Sequence, residues 1–79
     1  MKVFIAGGTS GIGLALAKRY LDQGAEVAVC GRDLTKMSAY SWGHSIRSFE
    51  VDVCQLSSLQ NAVSSFCAHM PLDLFINCT

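Results

Sequence analysis

The stretch Gly7-Gly8-Thr9-Ser10-Gly11-Ile12-Gly13 decides the fold, because it joins a short apolar run to a segment with helical periodicity. The preceding run, Lys2–Ala6, is nearly continuous in apolar residues, as expected for a strand buried on both faces. After the glycines, apolar residues recur at helical spacing at Ile12, Ala15, Leu16 and Tyr20. We therefore predict a strand, a glycine-rich loop and an amphipathic helix over residues 11–23, with Ser10 as its N-cap and Gly24 as the left-handed residue that ends it.

The same alternation of apolar runs and helical segments continues along the chain. We predict further strands over residues 26–30, 45–51 and 72–77, and helices over residues 33–39 and 55–69. The last helix carries one apolar stripe, which consists of Leu56, Leu59, Val63, Phe66 and Met70, and Pro71 stops it. The order βαβαβαβ with short connections implies a parallel sheet with helices on both faces. This is the α/β architecture of a doubly wound, Rossmann-type parallel sheet in its N-terminal half, and the expected strand order is 3-2-1-4.

The composition excludes several classes of protein. Of the 79 residues, 51% are hydrophobic and 15% are charged, which is the composition of a folded core rather than of a disordered chain. Six Lys and Arg balance six Asp and Glu without a basic cluster, so we expect neither a nucleic-acid partner nor a membrane partner. The apolar runs are far shorter than the roughly 18 residues of a membrane span. The first run is also too short for a signal peptide, so we expect a cytoplasmic location.

The four cysteines are widely spaced, at Cys30, Cys54, Cys67 and Cys78, and they include no C-x-x-C pair. Since neither zinc-ligand spacing nor a redox motif is present, no metal site is predicted. Each cysteine lies at the end of an apolar segment or on an apolar helix face, where a free thiol packs as a small hydrophobe. We therefore expect reduced, structural thiols.

The glycine-rich loop has the features of an anion-binding site. Gly7 makes the tight turn off the strand, Gly11 lets the backbone approach a pyrophosphate, and Gly13 lets the helix pack closely on the strand. The free N–H groups and the positive dipole end at the helix start then attract the anion, and Thr9 and Ser10 add hydroxyl donors. The alternative is a turn without a ligand. Four glycines in seven residues cost backbone entropy that a plain turn does not require, which favours the ligand.

Three motifs in order resemble the short-chain dehydrogenases/reductases, and the resemblance covers the whole chain. Ala6-Gly7-x-x-x-Gly11-Ile12-Gly13 resembles the family's cofactor loop T-G-x-x-x-G-I-G, with Ala6 in place of threonine. Val51-Asp52-Val53 matches the D-V pair after the third strand, where the family's aspartate contacts the adenine ring. The strand at residues 72–77 matches the one leading into the family's N-N-A-G segment, of which Asn77-Cys78-Thr79 keeps only the first asparagine.

Together, the loop and the resemblance predict one dinucleotide site. Its predicted residues are Gly7, Thr9, Ser10, Gly11, Ile12, Gly13, Arg32, Asp52, Val53 and Asn77. Two of them have alternative roles, since Asp52 is also a candidate N-cap for the helix that starts near Gln55, and Asn77 a candidate turn residue. Asn77 is expected at the carboxyl end of a strand beside the first strand, where these folds bind ligands.

The tip of the second strand predicts NADP rather than NAD. NAD-binding units place a carboxylate there to accept from the ribose hydroxyls, but this sequence has Gly31 followed by Arg32. A guanidinium binds a 2′-phosphate through bidentate, charge-assisted hydrogen bonds, and a Gly-Arg pair here resembles the NADP-preferring members of the family. The alternatives are that Arg32 is a solvated cation balanced by Asp33, and that Asp33 reaches the ribose and permits NAD.

The chain contains no catalytic residue of the family. Family members use serine, tyrosine and lysine with Y-x-x-x-K spacing, whereas Tyr20 and Tyr40 are followed four residues later by Gly24 and His44. We therefore expect an NADP-dependent oxidoreductase of the short-chain type of which this chain, as one half-domain over residues 1–79, supplies only cofactor binding. The isolated fragment is expected to be inactive.

The strand at residues 72–77 is apolar and would form an exposed sheet edge, so we expect that the chain is truncated before the catalytic segment. The absent half would supply the pocket for a small carbonyl or alcohol substrate and the contacts of a homo-oligomer. The alternatives are a non-catalytic NADP(H)-binding or regulatory module and a truncated product without a stable fold.

Overall fold

The structure, a computed structural model, describes residues 1–7, 11–32, 34, 37, 40–51 and 55–78. Its elements follow in the order β1 (Lys2–Ala6), α1 (Gly11–Asp22), β2 (Glu26–Gly31), the 3-10 helix η1 (Gly43–Ser45), β3 (Arg47–Glu50), α2 (Leu56–Phe66) and β4 (Leu74–Asn77). The four strands form one parallel sheet in the order β3-β2-β1-β4. The predicted fold class and strand order are thus confirmed. Within the described part of the chain, neither α-helix has the length and apolar character needed to cross a membrane.

The sheet is buried on both faces because β1 and β2 are apolar at nearly every position. On one face, Val3, Ile5, Val27 and Val29 pack with Ala17 of α1 and with Met37 and Ile46. On the other face, Phe4, Ala6, Ala28 and Cys30 pack with Ala62 and Phe66 of α2. The two helices therefore cover opposite faces, as the right-handed crossovers of a parallel sheet require.

Phe4 is the centre of the face that α2 covers. It is fully buried, and its ring lies 5.7 Å from that of Phe75, 6.1 Å from that of Phe49 and 6.1 Å from that of Phe66, measured between centroids. These three partners belong to β4, β3 and α2, so one side chain in β1 joins three other elements. Burial of a side chain of this size stabilises the fold by about 1.5–3 kcal/mol.

The predicted apolar stripe of α1 is confirmed at Leu16 and Tyr20, which are half-buried and pack against the core, but it was wrong at Ile12 and Ala15. Ile12 is 77% exposed and Ala15 is exposed, whereas the residues buried against the sheet are Gly13 and Ala17. Gly13 and Ala17 lie one turn apart on the same side of the helix, and their small size lets α1 approach the strands closely. The helical period was correct, but close packing selected the smallest side chains for the buried side.

The second helix is shorter than predicted and buries a narrower stripe. It ends at Phe66, five residues before Pro71, with Cys67 as its C-cap, so the proline does not stop it. Leu56 and Met70, both predicted on the apolar stripe, are 66% and 60% exposed, while Ala62 and Phe66 are buried. Leu56 lies in the first turn and Met70 lies beyond the helix, so neither reaches the sheet.

The segment between β2 and β3 differs from the prediction where it can be compared. Most of the predicted helix over residues 33–39 lies outside the described residues; the amide of Met37 donates to the carbonyl of Leu34 at 3.0 Å. Gly43–Ser45, predicted as loop and strand start, is the 3-10 helix η1, and β3 begins at Arg47. The amides of Gly43, Ser45 and Ile46 each donate three residues back, to the carbonyl oxygens of Tyr40, Trp42 and Gly43, which is the spacing of a 3-10 helix.

Lys2 ties several elements together at the amino-terminal edge of the sheet. Its backbone amide donates to the Asp73 carboxylate at 2.6 Å, and its Nζ donates to the carbonyl oxygen of Phe66 at 2.5 Å. The same Nζ lies 3.4 Å from the carboxylate of Glu26. Lys2 thereby satisfies a free carbonyl at the end of α2, where a cation also suits the helix dipole.

Candidate functional site

The carboxyl ends of all four strands meet at one edge of the sheet, and three backbone hydrogen bonds extend the pairing just past the strand ends. The Gly7 amide donates to the Cys30 carbonyl at 2.9 Å, the Val51 amide to the Gly31 carbonyl at 2.9 Å, and the Cys78 amide to the Ala6 carbonyl at 2.8 Å. Because these bonds align the strand ends, the residues that follow each strand are held along a single edge. Open α/β sheets bind ligands at this edge.

The strand order also creates a topological switch point at this edge. From β1 the chain proceeds outward to β2 and β3, and then returns to place β4 on the other side of β1. The crossover through α1 therefore lies on one face and the crossover through α2 on the other. In open α/β sheets, the ligand crevice lies at such a switch point, which here is beyond the carboxyl ends of β1 and β4.

Two glycines with positive φ, Gly7 and Gly11, lie at the end of β1 and at the start of α1. Gly7 has a φ of 80° and Gly11 a φ of 60°, and residues other than glycine rarely adopt such values. A Cβ built on Gly11 would meet no heavy atom within 4 Å, so the backbone conformation, rather than crowding, requires glycine here. The same open space is what a ligand needs to approach the backbone closely.

The first turn of α1 lies at this edge and has the character of an anion site. Gly11 begins the helix, and its first turn contains no acidic residue to neutralise the positive end of the dipole. The adjacent Ile12 is 77% exposed, while Gly13 is buried toward the sheet. This burial agrees with the predicted packing role of Gly13.

The end of β2 contributes a glycine and an arginine. The strand extends one residue further than predicted, to Gly31, which is buried, and Arg32 follows as an exposed residue. Position 31 therefore has no carboxylate, and the next residue, Arg32, is an exposed cation. The edge thus presents a cation at the tip of β2.

Asn77 is the last residue of β4 and lies opposite Ala6 in the register of the β1–β4 pair. The hydrogen bond from the Cys78 amide holds it at the same edge as Gly7. The other predicted site residues, Thr9, Ser10, Asp52 and Val53, lie outside the described residues. The structure therefore brings together Gly7, Gly11, Ile12, Gly13, Arg32 and Asn77 at one edge.

Cys30 lies directly beneath this edge, a feature that the sequence did not single out as part of the site. It is fully buried, and burial raises the pKa of its thiol, with a smaller opposing effect from a hydrogen bond with the Gly7 backbone. The thiol is therefore neutral at physiological pH, and it packs as an apolar side chain in the core just below the ends of β1 and β2. Cys30, Cys67 and Cys78 are free thiols.

Neither tyrosine lies at the carboxyl edge. Tyr20 is half-buried near the end of α1, where the chain turns back into β2 and so reaches the amino-terminal edge. Tyr40 packs against Trp42 with ring centroids 5.1 Å apart, and the Nζ of Lys18 lies 5.8 Å from the Trp42 ring. Among the described residues, the carboxyl edge therefore holds no tyrosine–lysine pair.

Comparison with known proteins agrees with this geometry. The family model described as short chain dehydrogenase matches residues 1–79. A 3-dehydrosphinganine reductase of Arabidopsis thaliana is 34% identical over 80 residues, and a 3-phenylpropionate-dihydrodiol/cinnamic acid-dihydrodiol dehydrogenase of Escherichia coli is 35% identical over 77 residues. Each alignment covers 94% of this chain, but only 23% and 28% of those two relatives.

A solved structure shows the same relation in three dimensions. A short chain dehydrogenase from Bacillus anthracis superposes with a TM-score of 0.84 at 26% identity, covering 99% of this chain and 34% of that one. The parallel sheet with its switch point is thus the Rossmann-type sheet of a short chain dehydrogenase. The chain belongs to the short-chain dehydrogenase/reductase family, and it spans about a quarter to a third of the length of these relatives.

Proposed function

We propose that this chain is the cofactor-binding half of an NADP-dependent oxidoreductase of the short-chain dehydrogenase/reductase type. The observation that carries the proposal is the end of β2, where buried Gly31 is followed by exposed Arg32. This pair lies at the same sheet edge as the positive-φ glycines Gly7 and Gly11. A phosphate-binding loop is common to dinucleotide sites, and a cation in place of a carboxylate at the β2 tip distinguishes an NADP site from an NAD site.

In this proposal, the first turn of α1 binds the pyrophosphate. The backbone N–H groups after Gly11 donate to its oxygens, and the helix dipole favours its negative charge. Thr9 and Ser10 add hydroxyl donors, and the exposed side chain of Ile12 packs against the cofactor. The open space at Gly11 fits this role, since a Cβ there would occupy the approach of the phosphate.

Arg32 then selects the cofactor. A guanidinium donates two parallel hydrogen bonds to a phosphate, which is more specific than a point charge would be. A carboxylate at Gly31 would repel the 2′-phosphate, and its absence removes that repulsion. NADP is therefore the proposed cofactor, and NAD binds less tightly.

The remaining predicted residues hold the adenosine. Asp52 and Val53 follow β3 in sequence and are proposed to contact the adenine ring, as the family resemblance implies. Asn77, at the end of β4 beside β1, is proposed to line the crevice where the cofactor crosses the sheet edge. In complete members of the family, the bound nicotinamide ring supplies or accepts a hydride, and these residues fix the position of the ring through the rest of the cofactor.

Catalysis and substrate recognition are proposed to reside in a further part of the polypeptide, because residues 1–79 contain no Y-x-x-x-K pair. The proposed substrate is a small carbonyl compound or alcohol, and the complete protein is proposed to be a cytoplasmic homo-oligomer. A non-catalytic NADP(H)-binding module is the second candidate, favoured by the same missing pair. The intact mass in native extract distinguishes them, because the enzyme requires a mass well above 8.5 kDa.

The proposed cofactor choice is tested by replacing Arg32 with alanine and measuring NADPH and NADH affinities by titration calorimetry. Loss of charged hydrogen bonds of about 1.5–3 kcal/mol corresponds to a loss of about ten- to hundredfold for NADPH. NADH affinity should change little, because NADH carries no 2′-phosphate. Arg47→Ala is the matched control, since Arg47 is an exposed arginine at the amino end of β3, far from the site. Equal losses for both cofactors would contradict the proposal.

A further inference from the structure

The pairing of β2 with β3 brings a carboxylate beside the tip of β2. In the register of this pair, Gly31 lies opposite Glu50, and the Val51 amide donates to the Gly31 carbonyl at 2.9 Å. Neighbouring strands lie about 4.8 Å apart, so the backbone of Glu50 lies at about this distance from that of Gly31, the residue before Arg32. Both Glu50 and Arg32 are exposed.

The side chain of Glu50 lies on the face of the sheet that bears α1. Cys30 and Phe49 are register partners, and both pack on the face that α2 covers. Because successive residues of a strand alternate between faces, Gly31 and Glu50 both lie on the opposite face. Gly31 has no side chain there, so no side chain at that position separates Glu50 from the β2 tip.

Within the part of the chain that the structure describes, no residue forms an ion pair with Glu50. Among the described residues, the ion pairs are Lys2 with Glu26 and Lys18 with Asp22, and neither includes Glu50. Its side chain belongs to neither hydrophobic core. An exposed negative charge at a proposed phosphate site affects which ligand binds there.

We propose that Glu50 is a second determinant of cofactor choice, acting in opposition to Arg32. This inference rests on the proposed NADP site. The carboxylate repels the 2′-phosphate of NADP, and it accepts a hydrogen bond from the 2′-hydroxyl of NAD in place of the carboxylate missing at Gly31. Arg32 and Glu50 together give a site that prefers NADP but retains measurable affinity for NAD.

The test compares Glu50→Gln with the wild-type chain, using 2′,5′-ADP and 5′-AMP as probes of the adenosine site alone. Removing a solvent-screened like charge should strengthen 2′,5′-ADP binding about three- to tenfold, and the gain should shrink at high salt. Binding of 5′-AMP should stay constant or weaken. Glu50→Lys should increase the preference for 2′,5′-ADP further, which a loss of local structure would not do.

Glu26→Gln is the matched control, because Glu26 is an exposed glutamate at the opposite end of β2. It should leave the ratio of the two affinities unchanged. Asp33→Asn, next to Arg32 in sequence, tests whether that carboxylate has the role instead. If Glu50→Gln behaves like Glu26→Gln while Arg32→Ala still loses 2′,5′-ADP affinity, the role of Glu50 is overturned and the NADP site stands. If the wild-type chain binds neither probe, the proposed function and this inference both fail.

Discussion

At the scale of single residues, glycines and small side chains fix the geometry of the candidate site. Gly7 and Gly11 have positive φ values that bring the chain from β1 into α1. Gly13 and Ala17 let the helix lie close to the strands. The spacing of glycine and apolar residues in the sequence predicted the loop and the helix, but it could not show which of those residues are buried and which are exposed. Ile12 and Ala15 fit the helical period yet face away from the sheet, because only packing against a particular surface selects one side of a helix.

Gly11→Ala should weaken both folding and cofactor binding. Alanine at a φ of 60° costs about 1–2 kcal/mol of folding stability, and its Cβ would occupy the proposed approach of the pyrophosphate. Gly24→Ala is a close control, because Gly24 has a φ of 86° and equally open surroundings but lies at the far end of α1. Chemical denaturation should show similar losses for both variants, and NADPH titration a loss for Gly11→Ala alone. Equal NADPH affinities in the two variants would contradict the role of the loop.

At the scale of elements, the contacts at the ends of strands and helices determine where each element begins and ends. The sequence predicted that α2 would continue to residue 69, but the helix ends three residues earlier, at Phe66. At this end of the helix, the Lys2 Nζ donates a hydrogen bond to the carbonyl oxygen of Phe66. This contact spans 64 residues of sequence. A local sequence pattern cannot reveal a contact of this kind, so the predicted C-terminal end of α2 lay too far along the chain.

Lys2→Met should destabilise the fold measurably. The methionine keeps the apolar stem but removes the charged hydrogen bond to Phe66 and the cation above its ring, 4.2 Å from the centroid. We expect a loss of about 1–2 kcal/mol in the free energy of unfolding, measured by urea denaturation. Lys18→Met is the control, since its i, i+4 pair with Asp22 is exposed and contributes about 0.3–0.5 kcal/mol. A loss no larger than that of the control would show that Lys2 does not join these elements.

At the scale of the whole molecule, the two edges of the sheet differ in character. The β3 edge presents Arg47 and Glu50 to solvent, whereas the β4 edge presents apolar residues, of which Phe75 is 42% exposed. Among the described strands, β4 pairs only with β1. Charged edges resist association with other sheets, but uncharged apolar edges promote it.

The isolated chain should therefore self-associate through β4. Phe75→Lys places a charge on that edge and should reduce light scattering at high protein concentration, with some loss of stability because Phe75 packs on Phe4. Leu56→Lys is the control, since Leu56 is 66% exposed in α2, away from the edge. If Leu56→Lys reduces scattering as much as Phe75→Lys does, general surface hydrophobicity rather than the β4 edge causes the association.

The sequence by itself determined the order of the four strands with α1 and α2, and the parallel sheet, because these depend on local periodicity, on glycine spacing and on the handedness of crossovers. Its three motifs also resemble those of the family to which the chain belongs. It also placed Arg32 after the second strand, which is the basis of the NADP prediction. Only the tertiary structure decided which side of α1 is buried, where α2 ends, and that Glu50 lies opposite Gly31. Those features depend on register and close packing between residues far apart in the chain, and such contacts leave no local pattern in the sequence.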